Sequence, residues 1–428
     1  EPGSSLSVSD VFVYANEGHR ISVSGNPNLS NVKVIMVGVR NPIRTRRPGQ
    51  DDGNPKSGEV WVNELRLSDF IENGGWAANA HLQARLADFG TVDMVGQTST
   101  PGWGSIEKKV NERSKEQVIK YDLSSTLELG KFFPEKAGVR LPVYVGLSET
   151  RIRPQYNPLD PDIYLDDALI NASDSYARDS IKSIAEDFAQ RKTITVSNAG
   201  VQRRGEKPHA WDLANLSVNY TYNEIYRSNT KTEIDLEKNY RGGLNYNYEG
   251  QPANVAPFKN VKFLNSPFFR IIKDFNFYVF PRSLAFRTDM NRYYNEVKAR
   301  NINNPYLRIT PTFKKDFEWT RMFDFKYDLT RQLKIDFTAN NIARIDEPAG
   351  GVDRRRYSTE YDLWRDSVIT NLRNYGRTTN YNHFMNVTWT LPVNKLPLLS
   401  WVNANARYGT DYTWLAGPLY PDSLNIDI

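Results

Sequence analysis

The residue types that most often carry enzyme or metal chemistry are sparse in this sequence. There is no cysteine among the 428 residues, which excludes disulfides, thiolate zinc sites, iron–sulfur clusters and cysteine nucleophiles. No phosphate-binding glycine loop and no nucleophile elbow of the form G-x-S-x-G occurs. The histidines lie far apart and without a metal-ligand spacing such as H-E-x-x-H: His19, His81, His209 and His383. We therefore nominate no catalytic residue, no metal ligand and no cofactor, and predict that the chain is not an enzyme.

Two charged clusters remain as candidate binding sites. Asp160, Asp162, Asp166 and Asp167 could offer oxygens to calcium, but their spacing and the missing turn glycine match no known calcium loop. Loop aspartates more commonly cap turns and helices, which is the interpretation we favour. The run from Arg354 to Arg356 is predicted to be a solvated loop face. Carboxylates could also pair as a glycosidase acid and nucleophile, yet with so many of them no pair can be selected.

Charge and hydropathy narrow the class of protein. Lys and Arg total 55 against 50 Asp and Glu, a net charge of +5, and the two signs are interspersed, so nucleic-acid binding is not supported. A mean hydropathy of -0.60 is too polar for a helical membrane bundle, and 12% aromatic residues are too many for a disordered chain. No apolar run approaches the roughly 18 residues that a spanning helix needs.

The elements that must position these side chains are strands. Apolar and polar residues alternate for about ten residues at a time, which is typical of strands with one apolar and one polar face. Hairpin turns are predicted near Arg331 and in the link from Pro392 to Pro397. The alternating segments are 76–86, 119–129, 139–147, 216–222, 244–248, 323–329, 333–339, 385–391 and 402–414.

The length of these segments favours a membrane-spanning sheet. Strands of soluble sandwiches average about six residues, whereas a strand tilted across a bilayer needs roughly 9 to 11. Tyr and Trp near the segment ends would form interfacial girdles, and the polar Asn, Asp, Thr, Lys and Arg side chains indicate a wet lumen. We predict an all-β fold that is part of a transmembrane antiparallel β-barrel, and we retain a soluble β-sandwich as the alternative.

The alternation assigns individual side chains to the two faces and to the interfaces. The positions predicted to face lipid are Leu82, Leu123, Leu127, Val143, Phe325, Ile335, Val387 and Ala404. The positions predicted to face the lumen are Gln83, Arg85, Asp122, Lys326, Asp336, Thr388 and Asn403. The aromatic residues predicted at the membrane interfaces are Trp76, Trp389, Trp401 and Trp414.

The chain divides into two predicted regions. Residues 1–72 carry short β-rich pieces at 11–14, 21–24 and 32–39, followed by a Pro/Gly/Arg/Asp loop over 41–57, and are predicted to form a small soluble β-rich cap or insertion subdomain. Residues 73–428 are predicted to form barrel wall, with turns that are short on one side and long on the other.

The longest break in the alternation, residues 154–192, is predicted to contain an amphipathic helix that packs on a loop or on the barrel rim. Its apolar residues, from Ala177 to Phe188, recur at helical spacing, and Asp174 near the start is a candidate cap. The chain starts without an initiator Met and stops partway into another alternating segment, from which we expect a fragment of a longer protein.

Several stretches in the same order together resemble one family. They are GEVWVNELRL at Gly58 to Leu67, SIEKKVNER at Ser105 to Arg113, PQYNPLDPD at Pro154 to Asp162, PHAWDLANLSVNYTY at Pro208 to Tyr222, NFYVFPRSLAFRTDMNR at Asn276 to Arg292 and YDLTRQLKIDFTANNIARIDEP at Tyr327 to Pro348. Over residues 58–348 the sequence is similar to the SprA family, also called Sov, the outer-membrane translocon component of type IX secretion and gliding motility in the Gram-negative Bacteroidota.

The resemblance implies a function and partners. It implies a very large single-chain barrel that passes folded cargo proteins carrying a C-terminal secretion signal, as a passive conduit. It also implies a lateral opening covered by a PorV-like barrel protein, a periplasmic plug protein and contact with outer-membrane lipid, and it brings no catalytic residue. About a dozen strands would be an incomplete wall for such a barrel. The alternatives are a TonB-dependent nutrient transporter, whose plug has no counterpart at the N-terminus, and a secreted β-sandwich that binds polysaccharide.

Overall fold

The alternating segments form strands in the computed structural model, which describes residues 11–16, 19–24, 32–39, 54–64, 66, 73–109, 112–203, 205, 208–302 and 307–417. The strands are β1 (Val11–Asn16), β2 (His19–Ser24), β3 (Ala77–Leu86), β4 (Gly90–Ser99), β5 (Glu116–Glu128), β6 (Val139–Arg140), β7 (Pro142–Pro154), β8 (Tyr156–Asn157), β9 (Asp160–Tyr164), β10 (Asp187–Val201), β11 (Leu216–Ser228), β12 (Thr232–Glu249), β13 (Asn254–Val255), β14 (Phe277–Tyr278), β15 (Ser283–Ala299), β16 (Thr312–Asp328), β17 (Leu333–Arg344), β18 (Arg377–Leu391) and β19 (Ala404–Leu415). The α-helices are α1 (Leu165–Ile170), α2 (Ser175–Ala185), α3 (Arg270–Lys273) and α4 (Ser358–Arg373). The predicted predominance of β structure is confirmed.

One large antiparallel sheet dominates the described part of the chain. It has 13 strands, and the long ones follow each other in a meander in the order β3-β4-β5-β7-β10-β11-β12-β15-β16-β17-β18-β19, while β6 pairs beside β10. Every long strand is hydrogen-bonded to the next long strand along the chain. The sheet contains about the dozen strands that the sequence predicts, and β3 and β19 each pair with a single neighbour among the described residues.

The first region holds a two-stranded hairpin, β1 with β2, which confirms the β pieces predicted at 11–14 and 21–24. The third predicted piece is wrong, because residues 32–39 are exposed and form no strand. An extended segment becomes a strand only when a neighbour accepts its backbone hydrogen bonds, and within the described ranges this apolar run has none. Residues 41–53 of the predicted loop lie outside the described residues.

The connections between the long strands lie alternately at two opposite ends of the sheet, which we call the lower and the upper end. At the lower end lie the connections 87–89, 129–141, 202–215, 250–282, 329–332 and 392–403, and at the upper end lie 100–115, 155–186, 229–231, 300–311 and 345–376. Short turns therefore occur at both ends, so the expected sorting of short and long connections by side is wrong. Long connections are tolerated at either end because 3₁₀ turns, helices and small strand pairs satisfy their backbone groups.

The helix predicted in the longest break is confirmed as α2. The side chain of Asp174 caps it by accepting a hydrogen bond of 2.6 Å from the backbone N–H of Ala177. The helix ends before Phe188, which belongs to β10, so the break covers 155–186 instead of 154–192. The longer helix α4 lies in the connection 345–376, where the sequence predicts none. No helix in the described ranges is both long and apolar enough to cross a membrane.

Candidate functional site

The register of the sheet sorts its side chains onto two faces. Residues that pair directly in an antiparallel sheet point to the same side, and so do residues two apart on one strand. We call the side that carries Leu82 face A and the side that carries Gln83 face B. Leu82 pairs with Met94, Met94 with Leu123 and Leu123 with Leu147, so face A can be followed from strand to strand.

The predicted lipid-facing residues all lie on face A. In the later strands of the meander, Phe325 pairs with Phe337 and Ile335 with Val387. The pairings of the strands in between place these residues on the same face as Leu82. The predicted lipid-facing residues found on face A are Leu82, Leu123, Leu127, Val143, Phe325, Ile335, Val387 and Ala404. None of them is buried. Their contact with lipid stays a prediction.

The predicted lumen-facing residues lie on face B, with one exception. Lys326 pairs with Asp336, and Asp336 with Asn386, so opposite charges and amides are neighbours across three strands. The set on face B is Gln83, Arg85, Asp122, Lys326, Asp336 and Thr388. Asn403 lies in the connection before β19, where no pairing assigns it to a face. The two predicted sets are thus separated by the sheet.

Face A changes character along the strands. Near the lower end it carries apolar side chains, such as Leu284 and Phe286 on β15, and towards the upper end it carries charged ones, beginning with Arg292 on the same strand. The distance along β15 from Leu284 to Arg292, the first charged side chain of face A on this strand, is about 26 Å at about 3.3 Å per residue. On β11 the same change occurs between Tyr220 and Glu224. Face A therefore consists of an apolar lower band and a charged upper belt.

Carboxylates in the upper belt are shared between neighbouring strands. Glu149 on β7 accepts hydrogen bonds from the hydroxyl of Tyr121 at 2.6 Å and from Nε2 of Gln190 at 3.2 Å. Glu224 on β11 lies 3.1 Å from Nζ of Lys192 and 3.4 Å from Nζ of Lys238. Each contact crosses to the adjacent strand, so the belt links strands by charge as well as by backbone hydrogen bonds.

The connection 345–376 folds over this belt and is held by a buried carboxylate. Glu296 on β15 has no exposed surface. Its oxygens accept hydrogen bonds from Nη1 and Nη2 of Arg356 at 2.6 and 2.8 Å, from the hydroxyl of Tyr357 at 2.9 Å and from that of Tyr294 at 3.0 Å. Four donors compensate for the lost hydration of the carboxylate.

The electrostatic environment of this contact fixes its protonation states. Burial would lower the pKa of Arg356, but the charge of Glu296, the hydrogen bonds to it and the nearby Tyr357 and Asp353 together outweigh burial and raise that pKa. Burial, followed by the hydrogen bond to Glu296, raises the pKa of Tyr357 to about 12. Both groups therefore keep their protons at neutral pH and remain donors to Glu296.

A second ion pair fastens the same connection. Arg292 on β15 contacts Glu347 in bidentate geometry at 2.8 and 2.7 Å, and Nε1 of Trp364 on α4 donates to the same carboxylate at 2.5 Å. The guanidinium of Arg292 also lies 4.9 Å from the ring centroid of Trp364. We call Glu296, Arg356, Tyr357, Arg292, Glu347 and Trp364 the clasp. Beside it, Phe317, Ile345 and Val368 form a small buried core.

The clasp corrects the interpretation of the arginine run. Arg354 and Arg355 are exposed, as predicted, but Arg356 binds a buried carboxylate 60 residues away in sequence. Sequence reasoning missed both the clasp and α4. The one local signal is the spacing of Tyr361, Trp364, Val368 and Leu372 in a helical stripe, which many charged residues interrupt.

The other candidate ligands do not gather into a site. Asp166 is paired with Arg153, and His383 stacks on Tyr412 with ring centroids 5.4 Å apart. In the part of the chain that the structure describes, no three His, Asp or Glu side chains come together to hold a metal ion.

The four predicted interfacial tryptophans fall at the two ends of the sheet. Trp389 and Trp401 lie at the lower end, on β18 and in the connection after it. Trp76, just before β3, and Trp414, on β19, lie towards the upper end. Their place at a membrane interface stays a prediction.

Comparison with known proteins finds one family match. Residues 4–169 match SprA_N, a family described as motility related/secretion protein. This range contains the stretches at 58–67, 105–113 and 154–162 that resemble the SprA family. No curated protein matches the chain in sequence. The match confirms the resemblance to SprA-like proteins over residues 4–169, which belong to the family of motility related/secretion proteins.

Proposed function

We propose that this sheet is part of the wall of a very large outer-membrane β-barrel, a protein-conducting channel that exports folded cargo in type IX secretion. The observation that carries the proposal is the separation of the two faces. Across the meander, the lower band of face A presents apolar side chains, whereas face B presents Asn, Asp, Thr, Lys and Arg. A wall between lipid and an aqueous passage needs this arrangement.

The dimensions of the lower band support the same proposal. A stretch of about 26 Å along the strand without a charged side chain on face A is comparable to the apolar band of roughly 25 Å on outer-membrane barrels. The charged belt begins where this stretch ends. Lipid would therefore contact only the lower band, and the belt with its clasp would lie in water above it.

The passage would work without chemistry of its own. Side chains of face B such as Lys326 and Asp336 alternate in charge across strands, so they keep the lumen wet without offering one strong binding site. The energy for export would come from partners. By the family resemblance these are a PorV-like barrel protein at a lateral opening, a periplasmic plug protein and the cargo itself.

Matched charge substitutions on adjacent residues test the orientation of the wall. We expect Ile335→Arg and Val387→Arg to cost about 1 to 4 kcal/mol each, because arginine would enter the apolar lower band of face A and the cost grows with depth in the bilayer. Asp336→Arg and Thr388→Arg, one position further on the same strands, are expected to be tolerated. The measurement is the amount of folded, heat-modifiable protein in the outer-membrane fraction. Equal losses for both members of each pair would contradict the proposal.

A second experiment tests the transport function. The tagged chain is purified from outer membranes in mild detergent, and the co-purifying proteins are identified by mass spectrometry. We expect a detergent-dependent complex that contains a PorV-like barrel protein and secreted proteins. A preparation that contains the chain in the outer membrane but neither kind of partner would argue against export and leave a barrel of another function.

A further inference from the structure

Two connections at the lower end form a continuous surface that the wall itself does not require. We call residues 258–280 and 392–401 the apron. The first contains the 3₁₀ turns Lys262–Asn265 and Pro267–Phe269 and helix α3, and the second contains the turns Pro392–Lys395 and Pro397–Leu399. Nζ of Lys395 lies 3.0 Å from a carboxylate oxygen of Asp274, which joins the two parts.

The apron exposes many large apolar side chains. Phe263 is 78% exposed, Phe268 69%, Leu398 84% and Trp401 81%. Val261, Ile272, Phe275, Val279, Phe280 and Leu399 are exposed beside them. A water-exposed patch of this kind is unfavourable for a soluble surface and normally marks a contact with a partner or a membrane.

The charges of the apron are almost all positive. Lys259, Lys262 and Arg270 are exposed. In the two ranges of the apron the only acidic residue is Asp274, and it is already paired with Lys395. Exposed Phe, Leu and Trp side chains mixed with Lys and Arg are the composition of segments that lie in a membrane interface and attract anionic headgroups.

The apron is fixed directly below the lower band of face A. The hydroxyl of Tyr327, a face A residue, donates to the carbonyl of Tyr278 at 2.7 Å, and the backbone N–H of Tyr278 donates to the carbonyl of Leu329 at 3.1 Å. The buried Asn276 accepts a hydrogen bond of 3.0 Å from the backbone N–H of Arg331 through its Oδ1. The apron therefore continues the surface that we assign to lipid.

We propose that the apron lies in the headgroup region of the adjoining phospholipid leaflet and anchors the lower end of the wall there. Its aromatic and leucine side chains enter the acyl boundary, and its lysines and arginine contact anionic phospholipid headgroups. The inference rests on the proposed function, because the apron can reach this depth only if the lower band of face A faces the bilayer. Short turns allow the chain to lie flat along the interface instead of crossing it.

The absence of cysteine makes a depth measurement direct. Phe268→Cys and Leu398→Cys variants each carry one thiol for an environment-sensitive fluorophore, in a full chain whose cysteines outside these 428 residues are first replaced by serine. Ile106→Cys, at an exposed apolar residue of the upper end, is the matched control for water, and Val387→Cys on face A is the control for the bilayer interior. The labelled proteins are placed in nanodiscs of phosphatidylethanolamine and phosphatidylglycerol, and fluorescence is quenched by iodide or by lipids spin-labelled at shallow or deep positions.

We expect the two apron labels to lose the iodide quenching seen at Ile106 and to be quenched by the shallow spin label more than by the deep one. Replacing phosphatidylglycerol by phosphatidylcholine should reduce the shallow quenching. Apron labels that iodide quenches as strongly as the Ile106 label, while the Val387 label meets the deep probe, would overturn the apron and leave the wall intact. Apron labels that neither iodide nor the spin-labelled lipids quench would mean that a protein, including a second copy of this chain, covers the apron. This result would also overturn the proposed lipid contact of the apron. A Val387 label that iodide reaches would instead overturn the proposed wall.

Discussion

Glu296 shows at the scale of one residue why the upper belt needs the connection that covers it. A carboxylate without exposed surface loses its hydration, and hydrogen-bond donors must replace the lost water. Three of its four donor groups, two on Arg356 and one on Tyr357, come from the connection 345–376. Opening this connection would therefore expose Glu296 to water as well as the apolar contacts of α4.

Removing the guanidinium of Arg356 should loosen the connection. We expect Arg356→Ala to destabilise its closed arrangement by about 2 to 3 kcal/mol, less than for a completely buried pair because 34% of the Arg356 side chain is exposed. The measurement is amide hydrogen exchange of residues 345–376 by mass spectrometry. Arg355→Ala, an exposed neighbour, is the control and should leave exchange unchanged. Unchanged exchange in both variants would contradict the assigned role of Arg356.

Asp353 should make the same connection sensitive to acid. Burial alone would raise the pKa of Asp353, but hydrogen bonds from the backbone N–H groups of Arg355 and Arg356, with the charge of Arg356, outweigh it and lower that pKa. A carboxyl whose pKa is lower in the folded than in the unfolded state stabilises the fold fully above its unfolded pKa, and this stabilisation is lost as the pH falls through the folded pKa. We therefore expect faster exchange of residues 353–357, corrected for the intrinsic rate, as the pH falls below about 4.

Asp353→Asn is the matched control, because it keeps a side-chain oxygen that can accept the same hydrogen bonds but cannot titrate. Because this side chain cannot titrate, we expect the corrected hydrogen exchange of the variant to stay constant across the same pH interval. An acid-induced change of equal size in both proteins would assign the sensitivity to another group.

At the scale of elements, the strands are longer than the part of them that carries a clear pattern. β17 is predicted from Leu333 to Ala339 and continues to Arg344, whereas β15 is not predicted at all. Alternation is visible where face A is apolar and face B polar. In the upper belt both faces carry charged or amide side chains, as Arg292 and Asn291 do on β15, so no period of two remains.

The separation of the two residue sets onto opposite faces, the dominance of β structure and the capped helix could therefore be predicted from the sequence. The clasp could not, because its partners are far apart in the chain and no local rule selects Glu296 for Arg356 among 50 acidic and 55 basic residues. β4 escaped prediction for another reason. Its face A side chains include Gly90, Gly96 and Thr98, which are too small or polar to give an apolar stripe.

The cap of α2 gives a prediction at this scale. Asp174→Ala should destabilise α2 by about 1 kcal/mol, because the backbone N–H of Ala177 loses its acceptor. Hydrogen exchange of residues 175–185 would then be roughly fivefold faster, since 1.4 kcal/mol corresponds to a factor of about ten. Asp179→Ala, an exposed position inside the helix, should not have this effect. Equal acceleration by both substitutions would mean that loss of charge, and not of the cap, is responsible.

At the scale of the whole molecule, much of the lower band of face A is left uncovered by the described chain, since Leu82, Val218 and Phe323 are exposed there, although Tyr248 near the lower end of β12 is buried. A sheet in water normally hides one face in a core, but most of the buried hydrophobic residues lie around α4 and towards the upper end, as Phe317, Ile345 and Val368 do. The apolar lower band is thus the part of the molecule that most needs a covering, and lipid is the covering that we propose.

Extraction of native membranes with alkaline carbonate tests this at the same scale. We expect the chain to stay in the pellet, because carbonate strips proteins held by charge but leaves those whose apolar surface is embedded in lipid. A protein attached through the clasp or other charged groups alone would be released. Appearance of the chain in the carbonate supernatant, in a soluble form without detergent, would favour the polysaccharide-binding β-sandwich.

The meander also sets the order in which the sheet can form. Because each long strand finds its partner immediately before or after it along the chain, from β3 to β19, no strand has to wait for a segment from the far end. Pairing between neighbours closes only the connection between them. The entropic cost of loop closure at each step is therefore small, and folding is comparatively fast. The sheet can therefore grow one hairpin after another, with each finished edge serving as the template for the next strand.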